Sequence, residues 1–281
     1  MNTHAAEVVV EGLAFPECAR WHDGRWWIVD MHAGEVRSYA PDTWDAPTVE
    51  VDLGADVRTA GIGFLPDGRL VVVSAFDSTV RRREADGSVV VHADLHATTR
   101  GWCNDMLVDA VGRGYVGSYG SDFSAGEARA DVALALVEPD GTSRPVGEPL
   151  AFPNGMAMTT DGQTLIVAES LADRLTAFSV APDGTLHDRR VWAALPEGAR
   201  PDGIALGADG AVWVAAFPTG ECWRVEEGGR ITDAVTVPDR LPFACGFGGP
   251  DGRTLLVCAA RTHEHEHTVV QRAGALAVLR P

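Results

Sequence analysis

Residues 154–170 read NGMAMTTDGQTLIVAES. A small polar pair opens the segment, a short apolar stretch follows, Asp161-Gly162 marks a turn, and a β-rich run closes it. Asp-Gly between apolar runs is a hairpin signal, because glycine takes the left-handed backbone that a tight turn demands. The pattern recurs as ECARWHDGRWWIVD (17–30), AGIGFLPDGRLVVVSA (60–75), NDMLVDAVGRGYVGSY (104–119), DGIALGADGAVWVAAF (202–217) and ACGFGGPDGRTLLVCAA (244–260). The turn glycines are Gly24, Gly68, Gly112, Gly162, Gly210 and Gly252, at intervals of 44, 44, 50, 48 and 42 residues.

Each unit carries further strand material. EVRSYA (35–40) follows the first, TVRRREADGSVVVHADL (79–95) the second and RLTAFSVAPDGTLHDRRVW (174–192) the fourth. The latter two contain their own Asp-Gly hairpins, at Asp86-Gly87 and Asp183-Gly184. Each unit therefore reads as about four strands, and four strands at a period in the forties mark a β-propeller blade. Six such units account for all 281 residues. The expectation is an all-β, six-bladed β-propeller, about four antiparallel strands per blade, forming one domain over 1–281. A single blade cannot bury both its faces, and radial stacking buries them against neighbours. The N-terminal AEVVVEG (6–12) is expected to supply a strand to the last blade. The nearest helical candidate, SAGEARADVALALVEPDG (124–141), is read as a loop followed by a strand.

Composition narrows the chemistry. The chain holds 40 acidic and 23 basic residues, a formal net charge of −17, and every basic residue is arginine. Without lysine there is no Schiff-base enzyme and no Walker-type phosphate loop. The negative field argues against nucleic acid, which needs a cationic face, and favours cations as partners. No run of apolar residues reaches membrane-spanning length, and Met1 to Glu11 lacks the basic and apolar regions of a signal peptide. Five cysteines (Cys18, Cys103, Cys222, Cys245, Cys258), an odd number with no CxxC pair, read as buried thiols of a reduced, cytoplasmic protein. There is no GxSxG elbow, so a serine hydrolase is disfavoured. Cys103 lacks a local histidine base and is read as buried rather than nucleophilic.

In a propeller the first strand of each blade lines a central channel. Counting back eight residues from the turn glycine gives Ala60, Asn104, Asn154, Asp202 and Ala244, and Pro16 beside Glu17 in the first unit. The six channel positions are then Glu17, Ala60, Asn104, Asn154, Asp202 and Ala244. Two carboxylates and two amides form an oxygen-only set that suits one hard divalent cation. Two small residues leave room for substrate and water. Each Asn-Gly or Asp-Gly alone could be a turn former, but four oxygen-bearing residues at one point of four blades favour a site. The tract HEHEH (263–267) follows the last strand and reads as an exposed strand or loop; extended, it would put His263, His265 and His267 on one face. Arg81, Arg82 and Arg83 read as a solvated strand end.

Taken together, FPECARWHDGRWWIVD, RTAGIGFLPDGRLVVVS, CNDMLVDAVGRGYVGS, FPNGMAMTTDGQTLIVAES, PDGIALGADGAVWVA and FACGFGGPDGRTLLVCAA make essentially the whole chain similar to the senescence-marker-protein/gluconolactonase (regucalcin-like) family. The resemblance implies a six-bladed propeller with one catalytic divalent metal (Ca, Zn, Mg or Mn). Glu17, Asn154 and Asp202 match its ligands, Asn104 matches a substrate contact, and Asp202 also matches the residue that activates water or relays its proton. The implied reaction is hydrolytic opening of a lactone. Other chemistry at the same metal (a dehydratase, isomerase or cyclase) and a non-enzymatic calcium- or ligand-binding role remain as alternatives. Two departures bear on substrate. Regucalcin-like members carry an arginine two residues before the Asn of the NDxxxD segment, where Trp102 stands here, and PECARW replaces their Gly-Glu-(Gly/Ser)-Pro type of opening. Arg58, just before Ala60, is the candidate substitute cation, with Trp21, Trp102, Tyr119, Phe217 and Phe243 as candidate pocket walls.

Overall fold

The structure is a computed structural model, and it describes residues 1–41, 43–121, 126 and 128–280. Six sheets are arranged as blades, each read outward from its first strand. Those inner strands are Pro16–His22, Thr59–Phe64, Cys103–Val108, Pro153–Met158, Pro201–Leu206 and Leu241–Gly248. Each touches the inner strand of the next blade, and the last touches the first, so the ring closes: this is the six-bladed propeller expected from the repeat. Within a blade the chain meanders antiparallel from inside to outside. The strand half of the 124–141 reading also holds, since Val132–Val137 is a strand; residues 124, 125 and 127 of that stretch lie outside the described residues.

The last blade is completed from the other end of the chain. Glu7–Leu13 pairs antiparallel with Gly274–Leu279, from Glu7 opposite Val278 to Leu13 opposite Gly274. This is the closure anticipated for AEVVVEG. One addition was not anticipated: Asn2–Ala5 pairs parallel with Ile231–Thr236, giving the fifth blade an extra outer strand. The N-terminal segment thus bridges two neighbouring blades.

Apolar side chains of the middle strands fill the spaces between blades. Ile28, Val72, Val116, Val167, Val214 and Leu256 are all fully buried. The turns at the far end of each unit behave as Asp-Gly turns should. At Asp67-Gly68, glycine sits at φ +83°, and the Asp67 carboxylate accepts from the Arg69 N–H. Asn154-Gly155 and Asp202-Gly203 differ, for they lie inside strands. Here glycine is required by proximity. A Cβ on Gly155 would stand 2.5 Å from the Asp202 carbonyl oxygen, and one on Gly203 would stand 2.6 Å from the Ala244 Cα.

A buried acid at the end of the second strand pins the segment leading into its blade. Asp30 accepts from the N–H groups of Ala14 (3.1 Å) and Phe15 (2.8 Å). Glu169 accepts from the Ala151 N–H at 2.9 Å, from Arg174 Nε at 2.7 Å and from Arg189 at 3.2 Å, and also from the Thr176 hydroxyl. Burial by itself would raise the Glu169 carboxyl, but these donors outweigh it and hold it down at about 2.

Two outcomes follow from this packing. Gly155→Ala forces backbone apart at the channel and should cost about 1–3 kcal/mol, a fall of several degrees in Tm by thermal unfolding. Glu169→Gln removes an acceptor from buried donors and should cost about 1–3 kcal/mol at neutral pH. Because the Glu169 carboxyl is depressed, its stabilisation is complete above the ordinary value of 4.5 and fades as pH falls toward about 2. The Tm gap between wild type and Glu169→Gln should therefore narrow on acidification over that range, and a gap independent of pH would refute the assignment.

Candidate active site

Every inner strand breaks register with its neighbour near the same level. The breaks fall between Glu17 and Arg20, Thr59 and Ile62, Cys103 and Met106, Pro153 and Met156, Pro201 and Ile204, and Pro242 and Ala244. A bulge re-aims the side chains within it, and these bulges hold the oxygen-bearing residues found by counting back from the turns. Glu17, Asn104, Asn154 and Asp202 all line one cavity of about 380 Å³ at the channel mouth. Ala60 and Ala244, the two small channel positions, are buried and do not line it.

The floor of this cavity is electrostatically uncomfortable. The Glu17 carboxyl is pushed well above the usual carboxylate range, by burial first and then by the charges of Asp202 and Asp105. Asp202 is raised as well, by burial and then by Asp105, against a hydrogen bond from Asn154 and another from the Gly203 backbone. Asn154 also donates through Nδ2 to Ser170 Oγ at 3.2 Å, and that hydroxyl donates to the Pro201 carbonyl at 2.7 Å. With its amide nitrogen so engaged, Asn154 keeps its amide oxygen for another partner. Asn104 Nδ2 is buried and has no hydrogen-bond partner among the described residues, so a donor waits beside the acids. These groups suit a divalent cation: the donors are all oxygen, and a positive charge would relieve the crowding that raises both acids.

Beneath the floor lies a layer that the repeat arithmetic missed. Asp105 accepts from Cys18 Sγ at 3.2 Å, from Arg20 Nη2 at 3.2 Å and from the Met106 N–H at 2.7 Å. Among the larger influences on the Glu17 carboxyl, Arg20 is the cation that lowers it. The signal was adjacency: Asp105 shares the Asn104 bulge, as Cys18 and Arg20 share the Glu17 strand.

The walls are aromatic. Trp102, Tyr119, Phe217 and Phe243 line the cavity as expected, joined by Phe15 and Phe152. Trp21 does not; it lies beyond the bulge, edge-on to Trp26 at 5.1 Å and against Gly248 of the last blade. Arg58 lines the cavity, together with Arg129 and Arg200. Cys103 is fully buried beside Thr99, and burial pushes its thiol up to about 11, as a non-nucleophilic thiol requires.

The HEHEH expectation needs correction. His265–Gln271 is a helix, so the three histidines share no face. His263 lines the cavity, His265 sits edge-on to His32 at 4.8 Å, and exposed His267 pairs with Glu264 at 2.6 Å. The helix forms because Thr268 can be buried: its hydroxyl lies 2.5 Å from His32 Nδ1. Burial, then the nearby Arg58, His265 and His263, lower His32 to about 3, so it docks the helix as a neutral ring.

The sequence matches the SMP-30/Gluconolactonase/LRE-like region over residues 15–261. The chain belongs to that family. A pentonolactonase of Haloferax volcanii is 27% identical over 271 residues, covering 91% of this chain and 87% of its own. Regucalcin of Xenopus laevis is 27% identical over 262 residues, covering 90% and 85%. A calcium-binding regucalcin structure from Agrobacterium tumefaciens superposes with a TM-score of 0.80 at 19% identity, covering 99% of this chain and 95% of that one. At that identity the likeness is one of fold. In this SMP-30/gluconolactonase-type chain the floor residues lie within the matched region, and so do Arg58 and Trp102.

The crowded floor gives a direct expectation. Glu17→Gln removes one of the buried charges, so metal-stripped Glu17→Gln should unfold at a higher temperature than metal-stripped wild type at pH 8. An unchanged or lower Tm would show that Glu17 is already satisfied by the protein.

Proposed function

We propose that this chain is a metal-dependent hydrolase that opens a small lactone at the channel mouth. Its family and its pentonolactonase and regucalcin relatives support a lactonase. The observation that carries the reading for this chain is the floor itself, two destabilised acids and two amides converging on one cavity.

Glu17, Asn154 and Asp202 would hold one divalent cation, with calcium, zinc, magnesium and manganese all compatible with oxygen donors. A cation so held would polarise the ester carbonyl and offset charge developing on its oxygen. Asp202 has a second task. Like Glu17 it has a raised affinity for protons, and it stands where the family resemblance puts the residue that activates water, so it takes the proton from the attacking water and later passes it to the leaving oxygen. Asn104 offers its unpartnered Nδ2 to the substrate. Trp102 and Arg58 form part of the substrate wall. The surrounding rings exclude bulk water and strengthen each of these polar contacts. No described helix is long and apolar enough to cross a membrane. All five cysteines are free and buried, which suits the cytoplasm as the working compartment. The whole chain, 1–281, would act as one domain around this site.

Asp202→Asn should lower kcat/KM for lactone opening by about 10²–10⁴-fold, read as proton release, while far-ultraviolet circular dichroism stays that of the wild type. Chelation should abolish turnover, and one of the four cations should restore it. If a panel of aldonolactones and aliphatic and aromatic lactones yields no turnover with any of the four, hydrolysis is excluded. Binding without turnover would then favour the ligand-binding alternative.

A further inference from the structure

The cavity carries more aromatic surface and more positive charge than the acid–amide floor needs. One wall is Phe15, Phe243 and Phe217, with successive ring centroids 4.7 and 5.3 Å apart. The facing wall is Trp102, Tyr119 and Phe152, with spacings of 6.1 and 4.8 Å. Such rings offer faces and edges to an apolar body, and few groups to satisfy the hydroxyls of a sugar.

Three arginines share this cavity. The Arg129 guanidinium lies 5.0 Å from the Phe152 ring centroid, and the Arg58 guanidinium 4.6 Å from that of Phe76, which itself packs on Trp102. Arg200 lies at the exposed rim. Arg58 is the telling one. Its Nε is buried with no hydrogen-bond partner, and no carboxylate among the described residues pairs with it. It is not the counter-ion of the floor, because the cation that acts on Glu17 is Arg20, beneath it. A half-buried guanidinium whose buried Nε has no acceptor among the described residues is costly, and the planar fork matches a carboxylate.

We infer that the preferred substrate has an apolar, ring-bearing body and carries a carboxylate remote from the scissile ester, with Arg58 as the residue that selects for that carboxylate. The nature of the scissile bond rests on the lactone-hydrolase reading above; the choice of body and charge rests on the walls and on Arg58. In the reaction, water adds its oxygen to the ester carbonyl carbon, the acyl carbon–oxygen bond breaks, and the ring oxygen takes a proton. The product is a hydroxy acid that ionises, so an anionic substrate leaves with one further negative charge and one proton is released.

The test compares dihydrocoumarin, its ring-carboxylated analogue and glucono-δ-lactone on the metal-loaded protein. The carboxylated lactone should show a kcat/KM about ten-fold or more above its neutral parent, with gluconolactone the poorest. Arg58→Met should raise KM for the carboxylated lactone about ten-fold more than for the parent, and Arg58→Lys should recover part of the loss. Equal use of the charged and neutral lactones, preference for gluconolactone, or equal effects of Arg58→Met on both would overturn the inference. If no lactone is opened, the hydrolase reading fails, and binding then decides this one separately. Calorimetry with 3-phenylpropionate and 3-phenylpropanol should show a preference for the carboxylate that Arg58→Met removes. No preference, or one that survives Arg58→Met, would refute it.

Discussion

The contact on which the rest of the molecule depends is that of one inner strand's glycine against the backbone of the next. A Cβ on Gly61 would stand 2.1 Å from the Met106 nitrogen, and one on Gly246 would stand 2.6 Å from the Ala19 carbonyl oxygen. Gly155 and Gly203 repeat the arrangement between their own blades. No side chain fits between such strands, so the ring is tight at its axis. Asn154 and Asp202, the residues just before Gly155 and Gly203, face the cavity at the channel mouth. Glycine packing and the clustering of Asn154 and Asp202 are thus two results of one geometric constraint.

That constraint also sets the electrostatics. Carboxylates brought together at a narrow axis cannot spread apart, and burial removes the water that would screen them. The protein answers within the layer below, where Arg20 and Asp105 pair at 3.2 Å. It leaves the upper layer under-compensated. Elsewhere buried acids are fully used, as Asp30 and Glu169 are by backbone and arginine donors. The contrast between satisfied structural acids and unsatisfied channel acids separates scaffold from site without appeal to any relative.

Much of this was legible in the sequence because the period is local. Asp-Gly turns announce hairpins, equal spacing announces blades, and a fixed offset from each turn finds the channel residue. What escaped depends on contacts that no local pattern encodes. The bulge that contains Asp105 arises from the fit between strands of one blade, and the packing of Trp21 on Gly248 from the fit between two blades. The helix His265–Gln271 depends on His32, more than two hundred residues earlier, accepting Thr268 as a partner. The parallel addition of Asn2–Ala5 to the fifth blade requires an edge that exists only once that blade is formed. Arg58 could be named from its position, but its lack of a counter-charge among the described residues is visible only in three dimensions.

The pairing of Glu7–Leu13 with Gly274–Leu279 makes the polypeptide a belt whose buckle joins its second strand to the strand Gly274–Leu279. During synthesis Glu7–Leu13 must wait, unpaired, until Gly274–Leu279 has emerged more than two hundred and fifty residues later. Contacts of such long sequence separation slow folding, since loop-closure entropy is lost before the pairing rewards it. Once fastened, the same belt resists opening, because Glu7–Leu13 and Gly274–Leu279 can leave the blade only by parting from each other or from the strands inside them. The closure that completes the ring thus joins segments far apart in sequence, while the turns that announce the fold are local.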